Sequence, residues 1–287
     1  MEVRTETVTN SGAGRLTIAL VGITLVTALV LAFTEPSPLP ALGASLLAVG
    51  FAAFVGLEAI DVGRPLTALT DAWAEHRRYV GFAAGLFGFG SLLGILLYLV
   101  GVDLIDVFLE LLSEEFGEEV FEDETGEPAE FELTAGFFIG QNTPPYLISI
   151  AGAASLGLLT AAVMVFNGIL VGNIAYSVGQ LAGFAEIVLL LAPHGIFELT
   201  ALFIAAGVGF RIVYRLGQRV GGSRDAFVTR RYLYRTGLLV IFGWFLLVLA
   251  AFVEAYLTIP IAEALVGDIG EVEDAPLSSA LFGYSSQ

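Results

Sequence analysis

Residues 232–257 read YLYRTGLLVIFGWFLLVLAAFVEAYL, with two charged side chains, Arg235 near the start and Glu254 near the end. A helix of this length is long enough to cross the ~30 Å hydrocarbon core of a bilayer. Three other apolar runs of similar length precede it. They are Leu16–Phe33, Leu39–Leu57 and Tyr79–Gly101. These runs predict an all-α fold, a polytopic bundle of membrane helices.

The composition of the whole chain also indicates a membrane protein. Of 287 residues, 56% are hydrophobic and only 14% are charged, whereas soluble domains have about 25% charged residues. Leu16–Phe33 is longer than the apolar core of a signal peptide and has no small-residue cleavage site after it, so we expect it to be a membrane span. We therefore predict a multi-pass protein of the cell membrane that is surrounded by the lipid bilayer.

The charged residues have an unusual balance. All 12 basic residues are arginine, against 29 acidic residues, and the formal net charge is −17. Acidic surfaces suit concentrated salt, in which charge repulsion is screened, so we expect a halophilic organism with an acidic proteome. The absence of cysteine excludes disulfides and thiolate chemistry. A nucleic-acid partner is not expected, because the chain has no large basic soluble face.

The positions of the arginines predict the orientation, because cytoplasmic loops of membrane proteins are enriched in basic residues. Basic residues occur before the first span, after the second span, and in a cytoplasmic basic loop at 211–235. We expect all three segments to be cytoplasmic. The first two segments contain Arg4, Arg15, Arg64, Arg77 and Arg78, and the basic loop contains Arg211, Arg215, Arg219, Arg224, Arg230, Arg231 and Arg235.

The region between the second and third basic segments determines the number of spans. Residues 102–132 contain thirteen acidic residues and no basic one, so we expect this segment to be outside. The chain must then cross the membrane an odd number of times before the basic loop, and its length allows three spans. We place them at Leu133–Ala154, Leu156–Leu181 and Ala185–Phe210. About seven spans follow, with the N-terminus in the cytoplasm and the C-terminus outside.

These assignments divide the chain into three parts. Residues 1–78 form a two-helix membrane extension, and residues 79–260 form a membrane core that contains the acidic outer segment 102–132 and the basic loop 211–235. Residues 261–287 form an acidic tail that we expect to be outside and disordered. The acidic outer segment is compatible with an amphipathic helix on the membrane or on a partner, and equally with a solvated loop.

Polar residues within the apolar runs are candidate functional residues, because an unsatisfied polar group in hydrocarbon is costly. Asn142 precedes Pro144 and Pro145, which predict a helix break, either beside a cavity in the membrane or in a surface loop. Asn167 lies in a later span, and its amide should need a partner on another helix. Glycine pairs four residues apart, such as Gly168 and Gly172, predict close helix contacts.

A third polar position is the sequence PHGIFEL at 193–199. Pro193 suits the first turn of a helix, so Pro193 and Gly195 predict a second helix break. His194 and Glu198 share a helix face and could relay a proton, hold a cation or bond to each other. Two ligands on one turn are too few for a zinc site, so we predict neither a metal nor a cofactor. Glu254 is a further candidate partner for this pair.

Several of these elements together resemble the stage II sporulation protein M family of integral membrane proteins. The resemblance covers about Tyr79–Pro260. It rests on Asn142, FNG at 166–168 with Gly172, PHGIFEL at 193–199, AAGVG at 205–209, and AAFVEAY at 250–256 before Ile259 and Pro260. Thr200 stands where members often have proline. The resemblance implies a helical membrane fold and a buried constellation of His194, Glu198 and Glu254.

The resemblance also implies a role in sporulating bacteria, as a membrane anchor that assembles peptidoglycan-remodelling proteins. An acidic chain without lysine indicates a haloarchaeon instead, which neither sporulates nor has that wall. We therefore do not expect the sporulation role in this protein.

Two classes of function are compatible with the sequence. The chain has no nucleotide motif, thiol or recognisable nucleophile and base, so we expect a protein without enzymatic activity. A scaffold or subunit of a membrane complex would bind membrane or surface proteins, and its glycine-rich faces are compatible with a homo-oligomer. The alternative is a transport or permease-type subunit that uses the broken helix and a buried His/Glu cluster.

Overall fold

The computed structural model describes residues 11–105, 107, 133–223 and 225–266. In these ranges the chain is all-α, with eight α-helices and one short 3₁₀ helix, Gly152–Ser155, between the fourth and fifth. The eight helices are α1 Gly12–Thr34, α2 Leu39–Ala59, α3 Pro65–Leu99, α4 Ala135–Ala151, α5 Leu158–Ala182, α6 Phe184–Val220, α7 Arg230–Tyr256 and α8 Thr258–Val266.

Six of the described helices are long and apolar enough to cross a membrane, namely α1, α2, α3, α5, α6 and α7. The helix α4 has 17 residues and is therefore about 25 Å long, slightly less than the hydrocarbon core. The helix α7 lies at the centre, because 67% of its most apolar stretch is buried, against 28–33% for the other five. Those five helices thus present most of their surface outward, where lipid would surround a membrane protein.

Contacts between the helices show that successive helices run in alternating directions. In α2 and α7, Gly43 lies against Phe252 and Gly50 against Phe245, so these helices are antiparallel. In α4 and α7, Tyr146 donates to the carbonyl of Val240, while Trp244 donates to Thr143, so these are antiparallel too.

Similar contacts relate α3, α5 and α6. Phe87 and Phe82 of α3 pack on Phe203 and Phe210 of α6, respectively, which makes α3 and α6 antiparallel. Gly90 of α3 meets Val165 of α5, and Gly94 meets Ile169, so residue numbers increase in the same direction along both helices and α3 and α5 are parallel. Both α3 and α5 therefore run opposite to α6, and α4 runs opposite to α7.

The contact between α3 and α5 depends on glycine, as the spacing of the glycines predicted. A methyl group on Gly90 or Gly94 would collide with the carbonyl oxygens of Val165 or Ile169. In α5, methyl groups on Gly168 and Gly172 would likewise collide with the backbone of α3. The two backbones therefore touch directly, which only residues without a Cβ atom allow.

The prediction of helix breaks at the prolines was wrong. Pro144 and Pro145 lie inside α4, and Pro193 lies inside α6 with nine helical residues before it. The helices continue because each proline removes only one backbone hydrogen bond. Neighbouring helices and side chains can satisfy the carbonyl that is left without a donor. Gly195 is likewise helical.

Two predicted boundaries differ from the structure. The boundary between 78 and 79 falls inside α3, which begins at Pro65, so Arg77 and Arg78 are helical and only residues 60–64 form the turn after α2. Residues 261–266 of the predicted disordered tail belong to α8. Nearly all of the acidic outer segment, and residues 267–287 of the tail, lie outside the described residues.

Candidate functional site

Three ionisable side chains from two helices meet near one end of the bundle. His194 and Glu198 lie one turn apart on α6, and Glu254 lies on α7. One nitrogen or oxygen atom from each side chain lies within 4.8 Å of those of the other two. We call these three residues the His194 cluster. The structure therefore brings together the pair that the sequence placed on one helix face and its candidate partner from the last span.

The antiparallel packing of α6 and α7 produces the His194 cluster. The guanidinium of Arg215, late in α6, lies 3.7 Å from the centre of the Tyr232 ring, early in α7. His194 precedes Arg215 by about 32 Å along α6, and Glu254 follows Tyr232 by about 33 Å along α7, at 1.5 Å per residue. The equal lengths place His194 beside Glu254 when Arg215 stacks on Tyr232.

Thr258, at the start of α8, holds the imidazole of His194. The Thr258 hydroxyl donates to the carbonyl of Val253 over 3.1 Å, and His194 Nδ1 lies 3.2 Å from Thr258 Oγ1. Because the single hydroxyl proton points to Val253, we assign a proton to Nδ1, which then donates to Thr258. In the neutral imidazole, Nε2 is left with a lone pair.

The lone pair of Nε2 faces a carboxylate. Nε2 lies 3.8 Å from Glu254 Oε1, which is longer than a hydrogen bond. Glu254 Oε2 is buried and has no hydrogen-bond partner among the described residues. Within the same part of the chain, no donor hydrogen-bonds to the Glu198 carboxylate. Chemically, such a group of acceptors can take up a proton or a cation.

A second ionic cluster lies at the opposite end of the bundle, which we call the arginine-rich end. Arg235 of α7 pairs with Asp71 and, over 3.5 Å, with Glu75 of α3. Arg211 of α6 lies 3.9 Å from Glu75 and donates to the hydroxyl of Tyr79. We call Asp71, Glu75, Arg211 and Arg235 the Arg235 cluster. It joins three helices through opposite charges.

The predicted basic loop is largely helical in the structure. Arg211, Arg215 and Arg219 belong to α6, and Arg230, Arg231 and Arg235 belong to α7, so the connection covers only 221–229; Arg224 lies outside the described residues.

Partners in the connection 221–229 and on α7 explain why the prediction of a loop was wrong. Arg215 is 3% exposed and donates two hydrogen bonds to the carbonyl of Phe227. With such partners, arginines can continue a helix beyond its apolar part.

The two asparagines predicted as site residues do not join the His194 cluster. Asn167 Nδ2 donates over 2.9 Å to the carbonyl of Val163, one turn earlier in the same helix. The expected partner on another helix was therefore wrong, because a carbonyl of the same helix was within reach. Asn142 is half-buried on α4. Neither side chain hydrogen-bonds to the three cluster residues in the described part of the chain.

Asn173 is the asparagine that connects segments, and it was not among the residues predicted from the sequence. Its side chain is fully buried. Asn173 Nδ2 donates to the carbonyls of Gly94 and Val102 over 3.0 and 2.9 Å, and its Oδ1 accepts from the amide of Leu104 over 2.8 Å. The available signal was its place directly after Gly172, where α5 touches α3.

Comparisons with known proteins agree with this description. The family model described as Stage II sporulation protein M matches residues 80–259, which include the whole His194 cluster. An uncharacterized protein of Methanocaldococcus jannaschii is 31% identical over 129 residues, which are 44% of this chain and 71% of that relative. No solved structure matches the chain with significance.

Proposed function

Because the chain belongs to the stage II sporulation protein M family, we propose that this membrane protein is a non-enzymatic scaffold that holds other proteins at the membrane. The partners bind at its arginine-rich end, which faces the cytoplasm. This orientation follows from the enrichment of basic residues in cytoplasmic segments.

The observation that carries the proposal is a group of exposed arginines on rigidly held helix ends. At 35 and 37 residues, α3 and α6 are over 50 Å long, well beyond the ~30 Å apolar core. The Arg235 cluster fixes these ends to α7. Exposed arginines surround it: Arg64, Arg77, Arg78, Arg219, Arg230 and Arg231.

The charge of this surface determines the kind of partner. Arginine is permanently charged and binds carboxylates with two parallel hydrogen bonds, so the surface favours a protein with exposed acidic residues. A preformed surface also reduces the entropy lost on binding. The direct backbone contact of α3 with α5 further restricts the movement of α3, which carries Arg77 and Arg78.

Site-specific photo-crosslinking in the host's membranes tests the scaffold. A photoreactive residue at Arg231, which is exposed at the arginine-rich end, should give a discrete protein adduct. The matched control replaces Leu96, which is exposed on the apolar part of α3 and should react only with lipid. Changing Arg77, Arg219 and Arg230 together to glutamine should remove the protein adduct. Lipid adducts alone at both positions would contradict the proposal.

A second candidate function is transport, and the placement of the His194 cluster favours it. His194, Glu198 and Glu254 lie within two helices that are apolar enough to span a membrane, where ionisable groups commonly mark ion pathways. In liposomes containing the purified protein, transport predicts a flux of protons or divalent cations that His194→Ala abolishes. Equal flux with wild type and with empty liposomes would exclude this function.

A further inference from the structure

We propose that the His194 cluster binds one divalent transition-metal ion. The ligands are His194 Nε2 and one carboxylate oxygen each from Glu198 and Glu254. The inference is independent of the scaffold function, because it concerns the end of the bundle away from the exposed arginines.

The distance between His194 and Glu254 suits a shared ion better than a direct bond. The 3.8 Å between His194 Nε2 and Glu254 Oε1 is too long for a hydrogen bond. Ligands at about 2.0–2.2 Å from one metal ion lie roughly 3–4 Å from each other. The third ligand, Glu198, follows His194 by one helical turn, so that both project from the same face of α6.

The hydrogen bonding of His194 is that of a metal ligand. Histidines that bind metals usually donate their other ring N–H to a fixed acceptor, which sets the tautomer and the ring orientation. Thr258 Oγ1 is that acceptor for Nδ1, and Thr258 is itself fixed by its bond to Val253. His194 is only 8% exposed, and its Nε2 makes no hydrogen bond within the described residues.

The two carboxylates at this end also favour a bound cation. Two carboxylates in an apolar environment are costly unless opposite charges compensate them. Lysine is absent from the sequence, and no arginine of the described residues forms an ion pair with Glu198 or Glu254. Arg211 follows Glu198 by 13 residues, or about 20 Å along α6. One divalent ion would neutralise both carboxylates.

The donor set indicates the class of metal. One imidazole and two carboxylates suit Zn²⁺, Mn²⁺, Fe²⁺ or Co²⁺, whereas Mg²⁺ and Ca²⁺ prefer oxygen ligands alone. With three protein ligands, a tetrahedral ion keeps a fourth position for water or for Glu254 Oε2. This oxygen is buried and without a hydrogen-bond partner in the described part of the chain.

Metal titration of the full-length protein in detergent tests the site. After treatment with EDTA and removal of the chelator, Zn²⁺ binding is measured by calorimetry, and Co²⁺ binding by its visible absorption. We expect one tight site per chain, at least 100-fold weaker in His194→Ala and in Glu254→Gln. Thr258→Val should weaken binding by about 10- to 100-fold, since it removes only the positioning bond.

Two controls separate the site from general binding to acidic residues. Glu263→Gln removes one charge from an exposed position on α8 and should leave the tight site unchanged. His76→Gln removes the other histidine of the chain and should do the same. Monodisperse gel filtration of each variant shows that the fold is retained.

The outcomes are distinct. One site that depends on His194 and Glu254, with Zn²⁺ preferred over Ca²⁺, supports the proposal. Equal binding by wild type, His194→Ala and Glu254→Gln would overturn it. An absence of saturable binding, with a carbonyl stretch of protonated carboxylic acid that disappears in Glu254→Gln, would also overturn it and assign a proton to the cluster.

Discussion

At the arginine-rich end of the bundle, Asp71 and Glu75 face the guanidinium of Arg235, whereas at the opposite end Glu198 and Glu254 face the imidazole of His194. Each arrangement contains two carboxylates at a contact between helices. Arginine is always charged in proteins, so the Arg235 cluster is complete without any ligand. The His194 cluster has no permanent cation among the described residues, so it needs a proton or an added ion.

This difference separates structural from functional ionic groups. Arg211 and Arg235 join α3, α6 and α7 through bonds that the chain itself supplies. The His194 cluster joins only α6 and α7, and its Glu254 Oε2 lacks a partner in the described residues. The carboxylates of the Arg235 cluster are neutralised by arginine, whereas those of the His194 cluster have no such partner in the described residues. This difference indicates that the His194 cluster is a ligand-binding site.

The largest expected effect tests whether the end opposite the arginines can form a complete polar network. Asn173→Ala should lose about 3 kcal/mol of stability, because three hydrogen bonds of a fully buried side chain disappear and their partners remain unsatisfied. The midpoint of thermal denaturation in detergent measures this loss. Asn167→Ala is the matched control. It removes one bond within α5 and should cost about 0.5 kcal/mol; equal losses would contradict the role of Asn173.

The next effect tests whether the Arg235 cluster is structural. Arg235→Leu should destabilise the protein by about 2 kcal/mol, because Asp71 and Glu75 lose their shared cation while remaining half-buried. Arg231→Leu is the control. Its side chain is 77% exposed and 4.0 Å from Asp71, so the loss should be about 0.5 kcal/mol or less. The same denaturation measurement should separate the two variants; indistinguishable midpoints would show that Arg235 is dispensable.

A third prediction distinguishes the two clusters by the sign of the effect. Without metal, Glu254→Gln should stabilise the protein by about 1 kcal/mol, because it removes a carboxylate that must otherwise stay unpaired or take up a proton, and the new amide can donate to His194 Nε2. Glu75→Gln should instead destabilise it, since Arg235 and Arg211 lose a charged partner. Denaturation midpoints in EDTA give both signs. A loss of stability in Glu254→Gln under these conditions would mean that its carboxylate already has a cation.

The sequence predicted the features of the fold that follow from composition and spacing. Long apolar runs predicted α1, α2 and α7. Glycine spacing predicted close helix contacts, and the structure places such a contact between α3 and α5. The length of α3 and α6 was missed, because hydropathy registers the apolar part of a helix and not the polar turns that continue it. Their polar ends are helical because residues such as Arg211 and Arg215 find partners on other helices.

For the candidate site, the sequence supplied the residues but not their bonds. Helical spacing placed His194 with Glu198, Glu254 of the last span was offered as a candidate partner, and the family resemblance implied that all three are buried together. The role of Thr258 depends on the turn from α7 into α8, which brings its hydroxyl within 3.2 Å of His194 Nδ1. Asn167 and Asn173 each lie beside a glycine in the same apolar run, so the sequence does not distinguish them. Only the packing of α3 on α5 shows which of them reaches across to the carbonyl of Gly94.

The smallest expected effect concerns Glu58, a carboxylate that is satisfied by neither arginine nor an added ion. At the end of α2, Glu58 Oε2 accepts from the amides of Leu66 and Thr67 over 2.8 and 3.2 Å, in the first turn of α3. Its other oxygen accepts from the Thr67 hydroxyl. The positive end of the helix dipole adds to these bonds. Backbone amides are thus a third kind of partner that stabilises a carboxylate in this protein, besides arginine and a bound ion.

Glu58→Gln should lower the stability by about 0.5–1 kcal/mol, because the side chain loses its charge and one of its two acceptor oxygens. The loss in denaturation midpoint should shrink at high salt, which screens the interaction of an exposed charge with the helix dipole. Glu35→Gln, at the end of α1, changes the charge equally, and in the described part of the chain no amide of a helix start donates to the Glu35 side chain. If both variants lose the same stability, the effect is one of net charge, and the amides at the start of α3 contribute nothing specific to the Glu58 carboxylate.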